Sequence, residues 1–189
     1  MTTIAAASVN GVHALAADGM TRAGSDLIAL RSRKIHQCGD AVAAGSGDVS
    51  CCNILASIEA SEIKDFVESL RRAYGQGGWR SAEGEIGAPV YGPNQLFVNA
   101  EGVWKIGVDL SFLRIEEGLP AAIGAGMDYA IGAIESMSVL TKDFTGAVAP
   151  ARDLVVHAIK IAIKRDAGTG GGIMLALRGA ENFGPDWIT

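Results

Sequence analysis

Small and apolar residues dominate the first eighteen positions of the chain and are interrupted at Asn10-Gly11. Asn-Gly favours a tight turn between antiparallel strands, because both turn positions need the left-handed backbone that Asn and Gly tolerate. The pattern therefore predicts strands over residues 3–9 and 12–18, joined as a hairpin. Another short apolar run at residues 41–44, ended by Gly45-Ser46-Gly47, predicts a further strand.

Four segments place apolar residues at the three- and four-residue intervals of an amphipathic helix. The first follows Asp48, whose side chain can cap its start, and its apolar positions are Cys51, Leu55 and Ile58. The apolar faces of the others are Ile63, Phe66, Val67 and Leu70; Met127, Ala130, Ile131 and Ile134; and Leu154, Val155, Ala158, Ile161 and Ala162. The last helix is predicted to span residues 151–165.

The remaining pattern predicts a second hairpin over residues 95–99 and 103–109, and a strand over residues 173–177. Residues 75–92 are rich in glycine and other breakers, which indicates a loop with short strand pieces. The order is strands, two helices, strands, two helices and a strand. Such grouping favours an α+β fold, in which two sheets between two helical layers bury each helix pair on a sheet face.

Composition and charge exclude several classes of function. The chain has 189 residues, of which 49% are hydrophobic and 20% charged, as in a globular protein. Its net charge of −5 argues against a nucleic-acid binder, whose contact surface is basic. No apolar run is long enough to cross a membrane. Ala14-Leu15-Ala16 resembles a signal-peptidase site, but no basic segment precedes it.

The sequence carries no pattern typical of a metal or cofactor site. Cys38, Cys51 and Cys52 lack metal-ligand spacing, and we expect reduced thiols in a cytoplasmic protein. Gly45-Ser46-Gly47 resembles part of a dinucleotide-binding loop, but the third glycine is missing and Asp48 would repel a phosphate. We therefore expect neither a metal ion nor a cofactor.

The candidate nucleophile is Thr2, which becomes the N-terminal residue once Met1 is removed. Its α-amine can then act as the base for its own hydroxyl. Asp18 ends the strand that returns beside residue 2, and it can be the counter-ion of an inward-facing Lys34. Such a lysine would favour the neutral amine and stabilise a developing alkoxide. An ordinary Asp-Gly turn and a solvated basic patch are the alternatives.

Two glycine-rich segments supply further candidates. The backbone N–H of Gly45 can face the site as an oxyanion donor, although a turn that needs glycine explains the same residues. Asp166 ends the last helix, where an acidic group is disfavoured. With Thr169 it forms a short polar pair that can hydrogen-bond the Thr2 amine. A flexible helix exit is the alternative.

The chain resembles the proteasome β-subunit family of N-terminal nucleophile hydrolases, and within it the short bacterial members related to the HslV peptidase. The resemblance spans nearly the whole chain. The matching segments are TTIAAASVNGVHALAADG at 2–19, SRKI at 32–35, DAVAAGSGD at 40–48, AAIGAG at 121–126 and DAGTGGGI at 166–173. Its specificity comes from spacing, with Asp18 sixteen residues after Thr2 and Lys34 sixteen residues after Asp18.

The resemblance implies a four-layer αββα sandwich, a single proteasome-type peptidase domain over residues 1–189, and threonine endopeptidase activity. Thr2 is then the nucleophile and its freed amine the base. The residues implied for catalysis are Thr2, Asp18, Lys34, Gly45, Asp166 and Thr169. Ala125 stands where the family usually has a serine near the nucleophile, which removes one hydrogen-bonding group.

The resemblance also implies that a peptide binds as an extended strand between the segment after Asp18 and the segment around Gly45. The residues implied for this contact are Thr21, Arg22, Ser32, His36, Ala43 and Gly47. Family members form stacked homo-oligomeric rings, often fed by an ATP-dependent unfoldase ring, and we expect neither nucleic-acid nor membrane partners. A catalytically silent ring subunit and an amidase for small amides are the alternative functions.

Overall fold

The computed structural model describes residues 2–23, 26–47, 52–76, 94–145 and 148–188. The strands are β1 Thr3–Val9, β2 Val12–Asp18, β3 Thr21–Ala23, β4 Asp26–Ala29, β5 Ile35–Cys38, β6 Ala41–Ser46, β7 Asn94–Asn99, β8 Gly102–Ile106, β9 Phe112–Ile115, β10 Ala121–Gly124, β11 Ile173–Gly179 and β12 Phe183–Ile188. The helices are α1 Ile63–Gln76, α2 Met127–Thr145 and α3 Ala151–Arg165, with a 3-10 helix over Ile54–Ser57.

Two five-stranded antiparallel sheets form the middle of the molecule. Their strand orders are β10-β1-β2-β11-β12 and β5-β6-β7-β8-β9, and β3 pairs with β4 as a separate hairpin. Helices α2 and α3 pack on the outer face of the first sheet, and α1 packs on the outer face of the second. This is the αββα sandwich that the order of elements and the resemblance predict.

Both faces of the interior strand β1 are buried, which explains its continuous run of small and apolar residues. Ala5 and Ala7 face the helix layer, whereas Ile4 and Ala6 face the second sheet. Alternate residues of a strand point to opposite sides of the sheet, so the two faces of β1 carry different side chains. Alanine on the helix side leaves room for α3 to lie close to the sheet.

The predicted first hairpin is confirmed. Asn10 and Gly11 have φ angles of 51° and 73°, the left-handed conformation that this two-residue turn requires. The turn fixes the register, which pairs Ile4 with Ala17. The far end of the hairpin therefore brings Asp18 beside Thr3, one residue from the candidate nucleophile.

Several predicted boundaries are wrong. The helix expected to run through Ile58 is a 3-10 helix that ends at Ser57, and Ile58 is extended; Asp48 and Cys51 lie outside the described residues. Helix α1 continues through Gly75 to Gln76, so these two residues are helical and not part of a loop; the rest of the loop predicted over residues 75–92 lies outside the described residues. Strand β8 stops at Ile106 instead of 109, because Asp109 bonds the Ser111 amide in a turn.

Six strands are absent from the sequence prediction, namely β3, β4, β5, β9, β10 and β12. Four of them are the edge strands of the two sheets, and the other two form the separate hairpin. The residues of β4, β9 and β12 are exposed or half-buried, so these segments lack a continuous apolar run, whereas β5 and β10 are only four residues long. In α3, Ile161 is only partly buried, although the pattern directs it inward, and Ile159 is fully buried instead. None of the described helices is both long and apolar enough to span a membrane.

Candidate active site

The carboxylate of Asp18 is fully buried and accepts four hydrogen bonds. Its Oδ1 accepts from the Thr3 amide at 2.8 Å and from Lys34 Nζ at 2.9 Å. Its Oδ2 accepts from the amides of Met20 at 3.2 Å and Gly170 at 3.0 Å. A buried carboxylate needs such partners to remain ionised. Asp18 thus joins the start of β1, the segment after β2 and the loop after α3.

The Lys34 ammonium lies between Asp18 and the backbone of residue 20. Its Nζ donates to Asp18 Oδ1 at 2.9 Å and to the Met20 carbonyl oxygen at 2.5 Å. The side chain is 8% exposed. Burial lowers the pKa of Lys34 from its ordinary value, and the neighbouring Asp18 charge opposes that shift. The solvated basic patch considered for this residue is therefore not what the structure shows.

A directed chain of hydrogen bonds runs from the start of α2 to the end of α3. Gly126 N donates to Thr3 Oγ1 at 2.9 Å, and Thr3 Oγ1 lies 2.5 Å from Thr169 Oγ1. The Thr169 hydroxyl donates to Asp166 Oδ2 at 2.5 Å. A hydroxyl has one hydrogen to donate, and Thr169 donates it to Asp166. The Thr3 hydroxyl must therefore be the donor to Thr169. Thr169 thus contacts Thr3, and Asp166 is linked to Thr3 only through Thr169, whereas the sequence prediction directs both to the Thr2 amine.

The glycine-rich loop after α3 holds the segment that follows β2. The carbonyl oxygen of Gly170 accepts from Gly19 N at 3.1 Å and from Met20 N at 2.8 Å, and Gly172 N donates to the Leu30 carbonyl at 3.0 Å. Gly171 has a φ of +76°, and a Cβ there would lie 2.2 Å from the Leu30 carbonyl oxygen. The loop is therefore a fixed contact and not a flexible helix exit.

Thr2 precedes β1 and borders an open cavity of about 280 Å³. The amide of Ala125 donates to the Thr2 carbonyl at 2.8 Å, which extends the pairing of β1 with β10 by one residue. The residues around the cavity come from five separate segments. They are Thr2, Thr21, Arg22, Ser32, Arg33, Lys34, Gly45, Gly47, Cys52 and Asn53.

Three solved structures share this architecture. The structure of BPH from Thiobacillus denitrificans in complex with epoxomicin is 17% identical, with a TM-score of 0.77 over 95% of this chain and 100% of that one. A second BPH structure from Thiobacillus denitrificans is 18% identical, with a TM-score of 0.75 over 98% and 100%. The crystal structure of eukaryotic HslV from Trypanosoma brucei is 17% identical, with a TM-score of 0.69 over 94% and 99%.

The chain has the HslV-like fold. This is the N-terminal nucleophile hydrolase architecture, and it confirms the fold class predicted from the sequence. No family model matches the chain, and no curated protein matches it in sequence. The likeness is therefore one of three-dimensional structure, and the chemistry has to be argued from the residues of the site.

The HslV-like fold brings together most of the residues predicted for the site. Thr2, Lys34 and Gly45 border the same cavity, as do Thr21, Arg22, Ser32 and Gly47. His36 and Ala43 are not among its described lining residues. They pair with each other across β5 and β6, and Ala43 is fully buried in the cluster beneath α1. Their side chains therefore belong to the core rather than to the cavity wall.

Sequence reasoning missed Thr3 and Gly124 as residues of this site. Thr3 supplies both an amide to Asp18 and a hydroxyl to Thr169. The alternation of side chains along β1 could have indicated the position of Thr3, because Thr3 shares a face with Ala5, which packs on the helix layer.

Among the described residues, no three His, Cys, Asp or Glu side chains are placed to hold a metal ion.

Proposed function

We propose that this chain is the threonine peptidase subunit of a self-compartmentalising bacterial protease that hydrolyses peptide bonds in unfolded proteins in the cytoplasm. The observation that carries the proposal is that Thr2, Lys34 and Gly45 border one cavity in an HslV-like fold. Thr2 is the nucleophile, and it becomes competent when Met1 is removed and the Thr2 nitrogen becomes a free amine.

The reaction follows from these groups. Thr2 Oγ1 attacks the peptide carbonyl carbon while its proton passes to the α-amine, and the backbone N–H of Gly45 stabilises the oxyanion. The C–N bond then breaks, the leaving amine takes the proton, and an ester joins the substrate to Thr2. Water, deprotonated by the same α-amine, hydrolyses that ester and restores the hydroxyl.

Lys34 and Asp18 set the electrostatics of this reaction. The ammonium of Lys34 at the cavity wall disfavours protonation of the nearby Thr2 amine, which keeps that amine available as a base. The same charge stabilises negative charge that develops on the Thr2 oxygen. Asp18 holds the ammonium in place through the 2.9 Å ion pair.

Asp166 and Thr169 act as positioning residues through Thr3. Thr169 bonds the Thr3 hydroxyl and is itself held by Asp166, so the pair fixes the side chain of the residue directly after the nucleophile. A misplacement of about 1 Å can cost a large factor in rate, so a rigid anchor at residue 3 is valuable to a nucleophile at residue 2. We propose that this is their contribution, in place of direct contact with the amine.

We further propose that copies of this chain assemble as stacked rings, with an ATP-dependent unfoldase ring as a partner. The HslV-like neighbours support this, and so does an exposed apolar patch on and after β4. Its members are Leu27, Ile28 and Leu30, each at least half exposed. A contiguous patch of exposed apolar residues is typical of a surface that associates with another protein.

The decisive experiment measures the intact mass of the chain before and after treatment with epoxomicin, a peptide epoxyketone whose reaction needs both the hydroxyl and the free amine. We expect a Met1-free chain that gains one inhibitor mass. Thr2→Ser should still gain it, whereas Thr2→Ala should not. An unmodified chain that has lost Met1 would overturn the assignment.

A second candidate function is a catalytically silent ring subunit. The observation in its favour is Ala125, whose amide holds the Thr2 carbonyl but whose side chain offers no hydroxyl. An assembled, Met1-free ring that binds unfolded protein without cleaving any peptide would establish this function instead.

A further inference from the structure

The cavity beside Thr2 is lined by positive charge. Arg22, Arg33 and Lys34 border it, and no Asp or Glu is found among its described lining residues. Lys34 is paired with the buried Asp18, so these two residues together add no net charge to this region. Arg22 and Arg33 therefore give the described wall a net positive charge, although the chain as a whole carries a net charge of −5.

Arg22 is the better-placed of the two arginines. Its side chain is half-buried, and its Nε is buried without a hydrogen-bond partner among the described residues. A buried donor that lacks a partner is unfavourable, and a ligand group that enters the adjoining cavity would supply a partner for the guanidinium. The planar guanidinium can give a carboxylate two parallel hydrogen bonds, which a lysine cannot do.

Arg33 extends the positive charge to the exposed side of the cavity. It is solvent-exposed, and its charge acts on the nearby His36. The pKa of the His36 imidazole is lowered mainly by burial and, to a smaller extent, by the Arg33 charge. An exposed cation next to a binding cavity attracts an anionic group before contact is made. Thr21 and Ser32, which also border the cavity, are small and leave room for a side chain.

We propose that this cavity selects peptides with an aspartate or glutamate at the residue whose carbonyl is attacked, with Arg22 as the principal specificity-determining residue. The inference rests on the proposed peptidase function and adds its substrate class. The side chain next to the scissile carbonyl enters the cavity beside Thr2, and its carboxylate pairs with the Arg22 guanidinium.

The test uses the Met1-free, assembled chain and fluorogenic peptides that differ only in the residue before the scissile bond. Glutamate and glutamine form the matched pair, because they have the same shape and differ in charge. We expect kcat/KM for glutamate to exceed that for glutamine by roughly ten- to a hundredfold, and rising salt should reduce this preference. Leucine and lysine peptides complete the panel.

Arg22→Gln should remove most of the preference, and Arg22→Lys, which keeps the charge but loses the planar fork, should retain part of it. Arg71→Gln is the matched control, because Arg71 lies on α1 and pairs with the exposed Glu68. This control should leave the ratio unchanged. A thermal melt of each variant establishes that a lost preference does not reflect unfolding.

Failure of this inference and failure of the peptidase function give different results. Equal cleavage of glutamate and glutamine peptides, with an epoxomicin adduct present, would overturn the specificity and leave the peptidase function intact. If no peptide is cleaved and no adduct forms, the peptidase function is wrong. The cavity is then tested with Thr2→Ala protein by fluorescence anisotropy, where equal binding of the two peptides overturns the inference.

Discussion

The carbonyl oxygen of Thr2 occupies the space in which a side chain on Gly124 would begin. A Cβ built on Gly124 would lie 1.9 Å from that oxygen, and Gly124 has a φ of +96°. The end of β10 thus holds the residue before β1 in a place that only glycine permits.

Gly124→Ala should displace residue 2 and reduce the rate of epoxomicin addition at Thr2. Gly118→Ala is its matched control, because Gly118 has a φ of +87° but no atom lies within 4 Å of the place that its Cβ would take. That control should cost only the left-handed strain of about 1–2 kcal/mol. Equal effects of both changes on the addition rate would contradict the prediction.

Asp18→Asn should strongly destabilise the chain, because it leaves the buried Lys34 ammonium without a counter-ion. Removal of one partner from a buried ion pair costs about 3–5 kcal/mol. Urea unfolding at fixed protein concentration measures this loss. Glu68→Gln breaks the exposed pair with Arg71 and should cost less than about 1 kcal/mol. A smaller loss for Asp18→Asn than for Glu68→Gln would refute the expectation.

Thr169→Val should break the hydrogen-bond chain between Thr3 and Asp166 while keeping the shape of the side chain. The Thr3 hydroxyl then loses its acceptor in a buried place, which costs about 1–3 kcal/mol. Thr169→Ser keeps the hydroxyl and should restore both stability and the rate of epoxomicin addition. Thermal melts and addition kinetics of the two variants provide the comparison, and identical behaviour of the two would contradict the proposed positioning role.

Stability should fall as the pH drops below the ordinary histidine pKa of 6.5, in part because of His13. Burial lowers the pKa of His13 and outweighs the opposing effects of the Ala100 backbone hydrogen bond and the Glu117 charge. The unfolded chain therefore binds the proton first, so unfolding is favoured between 6.5 and the lowered value. Melting temperatures of the wild type and His13→Gln across this range measure the slope, which should be shallower in the variant.

Cys38 should resist alkylation in the folded chain. It is fully buried, and burial raises the pKa of its thiol to about 12, so almost no reactive thiolate is present near neutral pH. Cys52 borders the cavity and is partly exposed, which makes it the internal comparison. Peptide mapping after iodoacetamide treatment should find Cys52 modified first and Cys38 modified only in urea. Equal labelling of both in the folded state would contradict this.

The sequence predicts the parts of the fold that local chemistry determines. Asn10-Gly11 specifies its turn, and the apolar face from Ile63 to Leu70 specifies α1, since both signals lie within a few residues of one another. The pairing of Asp18 with Lys34 can also be predicted from the sequence. A buried lysine requires a counter-ion, and the register of the hairpin limits which carboxylate it can reach.

The remaining features depend on contacts between distant segments. Nothing local to Thr169 indicates that its hydroxyl meets Thr3, which lies 166 positions earlier. The resemblance directs His36 and Ala43 to the pocket, but the packing of β6 on α1 decides where those side chains go. Edge strands such as β12 are not predicted, because they become strands through pairing with a neighbouring strand and their own residues give no strand pattern.

The anchoring of residue 3 has a consequence for the order of events in the life of the chain. Every described contact that fixes this end of β1 uses the Thr2 carbonyl, the Thr3 amide or the Thr3 hydroxyl. Excision of Met1 alters none of these atoms. Under the proposed function, the chain therefore folds with Met1 in place as an inert precursor, and removal of Met1 then activates a framework that is already complete.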